Sequence, residues 1–166
     1  MKPTFVISSP FDTYSGYGAR SRDVIKAIIA TDKYNVKLLT QRWGNTPFGF
    51  CENNPEFSDL LDLVIPSQMT SKPDIWAQIT VPNEFQPIGK YNIGFTAGME
   101  TTLVDGTWVE GMNKMDVNFV SSEHSKKAFL NSVYEKHDNH RKVIGEIKNY
   151  VEREFNRVVF LKNNSH

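Results

Sequence analysis

Short apolar segments rich in β-branched and aromatic residues alternate with longer amphipathic segments along most of this chain. The pattern is typical of an open, mainly parallel sheet with helices on both faces, because each helix carries the chain back between parallel strands. We therefore predict an α/β fold. The predicted strands span 5–8, 36–39, 74–79, 91–95 and 117–120, and the predicted helices span 17–31, 55–63, 108–114 and 122–134.

The length of 166 residues is that of a single domain, and a hydrophobic fraction of 39% is sufficient for a core. The alternation ends near residue 138, so 138–166 is expected to be irregular or a hairpin. A net charge of zero gives no bulk attraction to nucleic acid or to an anionic membrane. The single cysteine, Cys51, excludes an internal disulfide. No apolar run approaches the length of a membrane span and no secretory leader is evident, so we expect a cytoplasmic protein.

A glycine-containing turn joins the first predicted strand to the first helix. Gly16 and Gly18 allow close approach of a ligand to the backbone, and the start of a helix favours a phosphate. Arg22 adds positive charge. A dinucleotide site would need Gly or Ala where Ser21 stands. It would also need an acid after the second strand, where Arg42 could at most suggest a phosphorylated ribose. NAD is therefore not expected, and a simple tight turn into a helix remains an equally good interpretation.

Polar side chains follow three further predicted strands at their carboxyl ends. Glu100 could be a base or could accept hydrogen bonds from sugar hydroxyls, or it could be a solvated loop residue. Glu84 follows the third strand, where an ordinary turn is slightly favoured. Ser121 and Ser122 begin the helix after the fifth strand, and N-capping is their favoured interpretation. His124 could face a ligand cleft, although an exposed histidine is the simpler expectation.

The segment around His137 and His140 contains too few ligands for a zinc site, so no metal is expected. The three tryptophans are expected to serve packing. Trp43, which lies in a loop rich in glycine and asparagine, is the one that could contact the face of a sugar.

The stretch from residue 95 to 124 resembles the N-terminal domain of GT-B glycosyltransferases of the retaining, family 4 type. Members carry a pattern of the form W-E-T, then a Trp, then D-x-V-x-x-P-S. The chain differs at Met99, where the family has an aromatic residue, before Trp108, where it lacks the family's proline, and at Ser121, where the family often has proline. The matching residues here are Glu100, Thr101, Trp108, Asp116 and Ser122.

The resemblance implies a single Rossmann-like domain over 1–166 that forms the acceptor-side half of a two-domain enzyme. It places the glycine turn near the phosphates of a donor and Glu100 in the cleft, as a catalytic or positioning group. The candidate residues for binding substrate or phosphate are Gly16, Tyr17, Gly18, Arg22, Glu84, Thr101, Ser121, Ser122 and His124.

The function implied is transfer of a sugar from a nucleotide-sugar donor to an acceptor hydroxyl, with no other cofactor. The donor-binding half is missing from the chain, so the isolated chain is expected to be inactive without a C-terminal domain or a partner chain. The glycan or other hydroxyl-bearing acceptor would bind here. The alternative is a non-catalytic module that holds a nucleotide, a glycan or a protein.

Overall fold

The computed structural model describes residues 1–66, 69–98 and 101–148, together with the strand at 157–160. The elements follow the predicted alternation. They are β1 (Thr4–Ser9), α1 (Gly16–Ala30), β2 (Asn35–Thr40), α2 (Phe50–Asn53), a 3-10 helix (Pro55–Leu63), β3 (Ile75–Ile79), a second 3-10 helix (Pro82–Glu84), β4 (Tyr91–Thr96), α3 (Gly106–Asn113), β5 (Val117–Val120), α4 (Glu123–Asn131), β6 (Val133–His137), β7 (Val143–Lys148) and β8 (Arg157–Phe160).

The described strands form a mainly parallel sheet in the order β2-β1-β3-β4-β5-β8, and a separate two-stranded sheet of β6 and β7. β1 pairs in parallel with β2 and β3, and β5 pairs in parallel with β4 and β8. The order 2-1-3-4-5 is one of the common doubly wound arrangements. The chain therefore has an α/β fold of the Rossmann-like kind, and the predicted fold class is confirmed.

The chain divides into two compact units. The first comprises Met1–Thr80 with Ile88–Asn92, and the second comprises Val81–Pro87 with Ile93–His166. In the first unit, β1 is buried along nearly its whole length, and β2 alternates between buried and more exposed residues. A strand that is paired on both sides and covered on both faces is apolar along its length, whereas an edge strand alternates between buried and more exposed side chains. The core includes Ile7, Ile25 and Leu38, which are fully buried.

The second unit has its own apolar interior. Val109 and Met112 on α3 and Phe129 on α4 are fully buried. α3 packs closely on the 3-10 helix Pro82–Glu84. A Cβ at Gly111 would lie 1.8 Å from the Pro82 carbonyl oxygen, so only glycine permits this contact. No helix in the described ranges is both long and apolar enough to cross a membrane.

The predicted helix over 122–134 is wrong at its end. α4 stops at Asn131, and Val133 begins β6, which pairs in antiparallel fashion with β7. The local pattern favoured a longer helix, but a partner strand ten residues further on decides the conformation. The hairpin of β6 and β7 thus begins at Val133, before the segment 138–166 that was expected to be irregular or a hairpin. The predicted helix over 55–63 is 3-10 rather than α, and the short α2 precedes it.

Candidate functional site

The carboxyl end of β1 is the point at which the strand order reverses. β1 lies between β2, which follows it along the chain, and β3, which comes later. The connections that leave the carboxyl ends of β1 and of its neighbour β3 run in opposite directions and open a crevice there, where ligands of doubly wound sheets bind. The glycine turn identified in the sequence occupies this position, between β1 and α1.

Hydroxyl groups hold the turn. Ser15 has extended backbone angles and is the N-cap of α1, with its Oγ accepting a hydrogen bond from Gly18 N at 2.9 Å. Thr13 Oγ1 lies 2.8 Å from Ser15 Oγ and donates to the Pro10 carbonyl oxygen at 2.7 Å. The helix therefore begins at a fixed position, with the dipole of a 15-residue helix directed at the turn.

The two glycines of the turn have different roles. A Cβ at Gly18 would lie 2.4 Å from the Thr13 carbonyl oxygen and 2.9 Å from that of Pro10, so Gly18 allows the helix to pack against its own loop. At Gly16, apart from the flanking residues and the adjoining backbone of α1, no heavy atom of the described chain comes within 4 Å of the corresponding position. The open approach to the backbone is thus at Gly16, and the need for glycine at Gly18 is explained by packing.

Arg22 is buried, with 5% of its surface exposed. Its Nη1 donates to the carbonyl oxygens of Phe11 at 2.6 Å and Thr13 at 3.0 Å. The guanidinium carbon lies 3.4 Å from the centre of the Phe50 ring. Burial lowers the pKa of the Arg22 guanidinium, although Cys51, Asp23 and Asp12 act in the opposite direction. The guanidinium thus supports the loop, and a direct contact with phosphate remains a prediction.

Asp12 joins the turn to the segment at residues 49–51. Its carboxylate accepts hydrogen bonds from Gly49 N at 3.2 Å and Cys51 N at 2.8 Å, and its carbonyl oxygen accepts one from Phe50 N at 3.1 Å. Burial, together with the neighbouring carboxylate, raises the pKa of the Cys51 thiol to about 12. Sequence reasoning missed Asp12 because its partners lie 37 to 39 residues away.

Aromatic rings border the turn. Tyr17, in the first turn of α1, stacks on Trp43 with 4.1 Å between ring centres. Tyr17 therefore covers one face of the Trp43 ring. The contact of Trp43 with a sugar stays a prediction. Ser9 Oγ and Gln41 Oε1, at the ends of β1 and β2, are buried without a hydrogen-bond partner in the described chain. Buried polar atoms of this kind are uncommon, so this edge of the sheet is a chemically distinctive part of the first unit.

In the second unit, the serines after β5 hold the loop that follows β4. Ser122 is the N-cap of α4, its Oγ accepting from Ser125 N at 3.0 Å, so the capping interpretation is confirmed for Ser122 and is wrong for Ser121. Ser121 Oγ and Ser125 Oγ donate to the Ala97 carbonyl oxygen at 2.6 and 3.1 Å. Gly98 has a φ of +81° and lies against Ser125. These contacts give the serines a structural role.

His124 and Thr101 lie together in this unit, with His124 Nε2 at 3.2 Å from the Thr101 carbonyl oxygen. Both are exposed. Glu100, the candidate catalytic residue, lies outside the described residues. Glu84 is exposed at the end of the short 3-10 helix, where its N–H donates to the Val81 carbonyl oxygen at 3.0 Å.

The structure therefore brings the candidates together in two groups, one in each unit. Gly16, Tyr17, Gly18 and Arg22 form the turn after β1, whereas Thr101, Ser121, Ser122 and His124 surround the turn after β5. Within the described ranges, no cluster of three or more potential metal ligands is present. His137 contacts Glu135 and the Arg141 carbonyl oxygen instead.

Comparisons with protein-family models, curated protein sequences and solved structures give no match for this chain.

Proposed function

We propose that this chain is a domain of a GT-B-type retaining glycosyltransferase. In this proposal it acts together with a donor-binding domain to transfer a sugar from a nucleotide-sugar donor to an acceptor hydroxyl. The turn at Gly16 contacts the donor phosphates, and the polar loops of the second unit contact the acceptor. In this proposal the sugar transfer takes place in the cytoplasm, where nucleotide sugars are made and used.

The observation that carries the proposal is the open turn at Gly16. It lies at the carboxyl end of the strand where the strand order reverses, and it begins a helix of 15 residues. Backbone N–H groups and the helix dipole attract a phosphate at such a position without a dedicated cation. The absence of any described atom near a Cβ at Gly16 leaves room for an oxygen of the ligand to approach.

The second unit supplies the candidates for acceptor recognition. Ser121 and Ser125 donate to the Ala97 carbonyl oxygen, and Ser122 bonds Ser125, so the described part of the loop after β4 is held at Ala97. A carboxylate on that loop is suited to accept hydrogen bonds from sugar hydroxyls or to take a proton from the attacking hydroxyl. Glu100 is assigned this role by the resemblance to the family.

A second candidate function is a non-catalytic binding module. The internal hydrogen bonds of Arg22, Ser121 and Ser122 favour it, because these side chains already serve the fold. Such a module would bind the nucleotide part of a ligand at Gly16 and would need neither Glu100 nor a second domain.

The test is a calorimetric titration of the chain with UDP-glucose, GDP-mannose and inorganic phosphate. We expect weak binding of at least one nucleotide sugar and loss of that binding in Gly16→Asp. An aspartate at the first position of a helix is favourable for the helix but repels phosphate, so the variant should stay folded. Gly16→Asn is the matched neutral control and should retain most of the affinity.

Turnover separates the two candidate functions. Mixed with a donor-binding domain of this enzyme type, the chain should transfer sugar to an acceptor, and Glu100→Gln should reduce the rate while leaving donor affinity unchanged. Robust transfer or donor hydrolysis by the chain alone would contradict the requirement for a second domain. Binding without transfer under any of these conditions would favour the binding module.

A further inference from the structure

Three backbone N–H groups converge on a single residue of the glycine turn. Gly49, Phe50 and Cys51 all donate to Asp12, two of them to its carboxylate and one to its carbonyl oxygen. The carboxylate of Asp12 thus holds the start of α2 in place. Because an ionised acceptor makes stronger hydrogen bonds than a neutral one, this is a firm link between two segments far apart in the sequence.

Arg22 closes the link from the other side. Its Nη1 bonds the carbonyl oxygens of Phe11 and Thr13, which are the two neighbours of Asp12. Its guanidinium lies on the ring of Phe50, the residue between the two N–H groups that the Asp12 carboxylate holds. The contacts form a closed circuit from residues 11–13 to residues 49–51 and back through Arg22. We call this circuit the Asp12–Arg22 clasp.

The chemistry of the clasp requires arginine. Both carbonyl bonds come from one nitrogen, Nη1, while the guanidinium plane stacks on the Phe50 ring. A lysine ammonium could also donate to two carbonyl oxygens, but it is a point charge that cannot stack in the same way. The ring of Phe57 lies 5.5 Å from the same guanidinium carbon, on the first 3-10 helix. A second cation, Lys26 Nζ, lies 4.0 Å from the Phe57 ring and donates to the Glu56 carbonyl oxygen.

The clasp determines where the open glycine is. Thr13, one of the two residues bonded by Arg22, contacts Ser15 through its hydroxyl and faces Gly18 through its carbonyl oxygen. Movement of Thr13 would therefore displace both the N-cap and the packing that place Gly16. We propose that Arg22 is a positioning residue, which holds the turn in a ligand-ready conformation and does not itself contact the ligand.

The effect of Arg22 on the conformation of the loop does not depend on any ligand. Its effect on ligand affinity rests on the proposed function. Two measurements on the same variants separate them. The first is the set of backbone amide resonances of residues 11–16 without ligand, and the second is the affinity for UDP-glucose. The variants are Arg22→Gln, which removes the charge, and Arg22→Lys, which keeps it. Arg20→Gln is the control, because Arg20 lies on the same helix outside the clasp.

We expect Arg22→Gln to shift the amide resonances of residues 11–16 and to weaken UDP-glucose binding about tenfold, as displacement of a binding-competent conformation would. Arg22→Lys should also shift them, because an ammonium cannot stack on the Phe50 ring as the guanidinium does. Asp12→Asn should shift the same resonances. Arg20→Gln should leave them unchanged.

Weakened binding in Arg22→Gln with unchanged loop resonances would overturn the proposal, because Arg22 would then be a direct ligand. Full affinity in Arg22→Lys would overturn it in the same way. If the wild-type chain does not bind UDP-glucose but the loop resonances shift in the Arg22 variants, the proposed function is contradicted for this ligand, whereas the role of Arg22 in positioning the loop is supported. If Arg22→Gln does not fold, Arg22→Lys and Phe50→Leu decide the outcome by the same resonances.

Discussion

The turn after β1 and the turn after β5 start from the same local design but are supported differently. Each follows a parallel strand, and each enters a helix through a serine N-cap that accepts a hydrogen bond from the N–H three residues on, at 2.9 Å for Ser15 and 3.0 Å for Ser122. The first turn is then held by the buried Arg22 and by Asp12. The second is held by serine hydroxyls on the Ala97 carbonyl oxygen.

The difference shows that a capping serine determines where a helix begins but not how rigid its turn is. The first turn uses partners from residues 49–51, far along the sequence. The second uses neutral hydroxyls that are easier to displace, since hydrogen bonds with a charged partner are stronger than neutral ones. A rigid turn is suited to a constant group such as a phosphate, and a softer one to an acceptor that varies.

The largest expected effect separates the two glycines of the first turn. Gly18→Ala should lower the free energy of unfolding by about 3 kcal/mol, because the added Cβ meets backbone oxygens that cannot move independently. Gly16→Ala, the matched control, should change it by less than about 0.5 kcal/mol. Urea unfolding followed by circular dichroism measures both. Equal effects at the two positions would remove the distinction between the open and the packed glycine.

The next effect concerns the buried arginine. Arg22→Met should cost about 2 kcal/mol, because the carbonyl oxygens of Phe11 and Thr13 lose their donor in a buried place. The same urea titration gives the value, with Arg20→Met as the control on the same helix. A loss no larger than that of the control would mean that the clasp contributes nothing to the fold.

The caps should give a smaller effect that is equal in the two turns. Ser15→Ala and Ser122→Ala should each cost about 1 kcal/mol, since each removes one side-chain acceptor from the start of a helix. Thermal unfolding of the two variants side by side measures the difference. A much larger loss of stability in Ser122→Ala than in Ser15→Ala would contradict this expectation, because it would mean that the serine hydroxyls of the second turn stabilise it more strongly than the contacts of the first.

The buried thiol makes the first turn sensitive to alkaline pH. Because the pKa of Cys51 is about 12 in the folded chain, compared with an ordinary value of 9.0, the folded chain keeps a proton that the unfolded chain loses above pH 9. Stability should therefore be unaffected by this group below pH 8 and should fall by about 1 kcal/mol between pH 8 and 10. Cys51→Ala should lack that part of the decline. Identical pH profiles of the two proteins would contradict the assigned burial.

Much of the fold could be predicted because its signals are local. A few neighbouring residues are enough to indicate the strand that ends at Ser9, the periodic face of α1 and the strand Val117–Val120. Val133 could not be placed in this way, because its strand forms by pairing with β7. The local residues were compatible with a longer helix, and the distant partner decided against it.

The candidate site was predicted in position more than in detail. Gly16 and Gly18 indicated a turn for a ligand, but only the contact with Thr13 distinguishes the open glycine from the packed one. Asp12 gave no signal, because a single aspartate in a polar loop resembles many others until the N–H groups of Gly49 and Cys51 are placed around it. Arg22 was expected at the ligand; its bonds to the loop could not be read from the sequence, and its contact with a ligand stays a prediction.

The central claim is that the rigid turn at Gly16 binds the phosphates of a nucleotide sugar. The most direct measurement is the change in backbone amide resonances when UDP-glucose is added to the isotopically labelled chain. The account predicts changes centred on Ser15 to Gly18, retained in Gly16→Asn and lost in Gly16→Asp. Unchanged resonances at the turn, or changes that persist in Gly16→Asp, would contradict it.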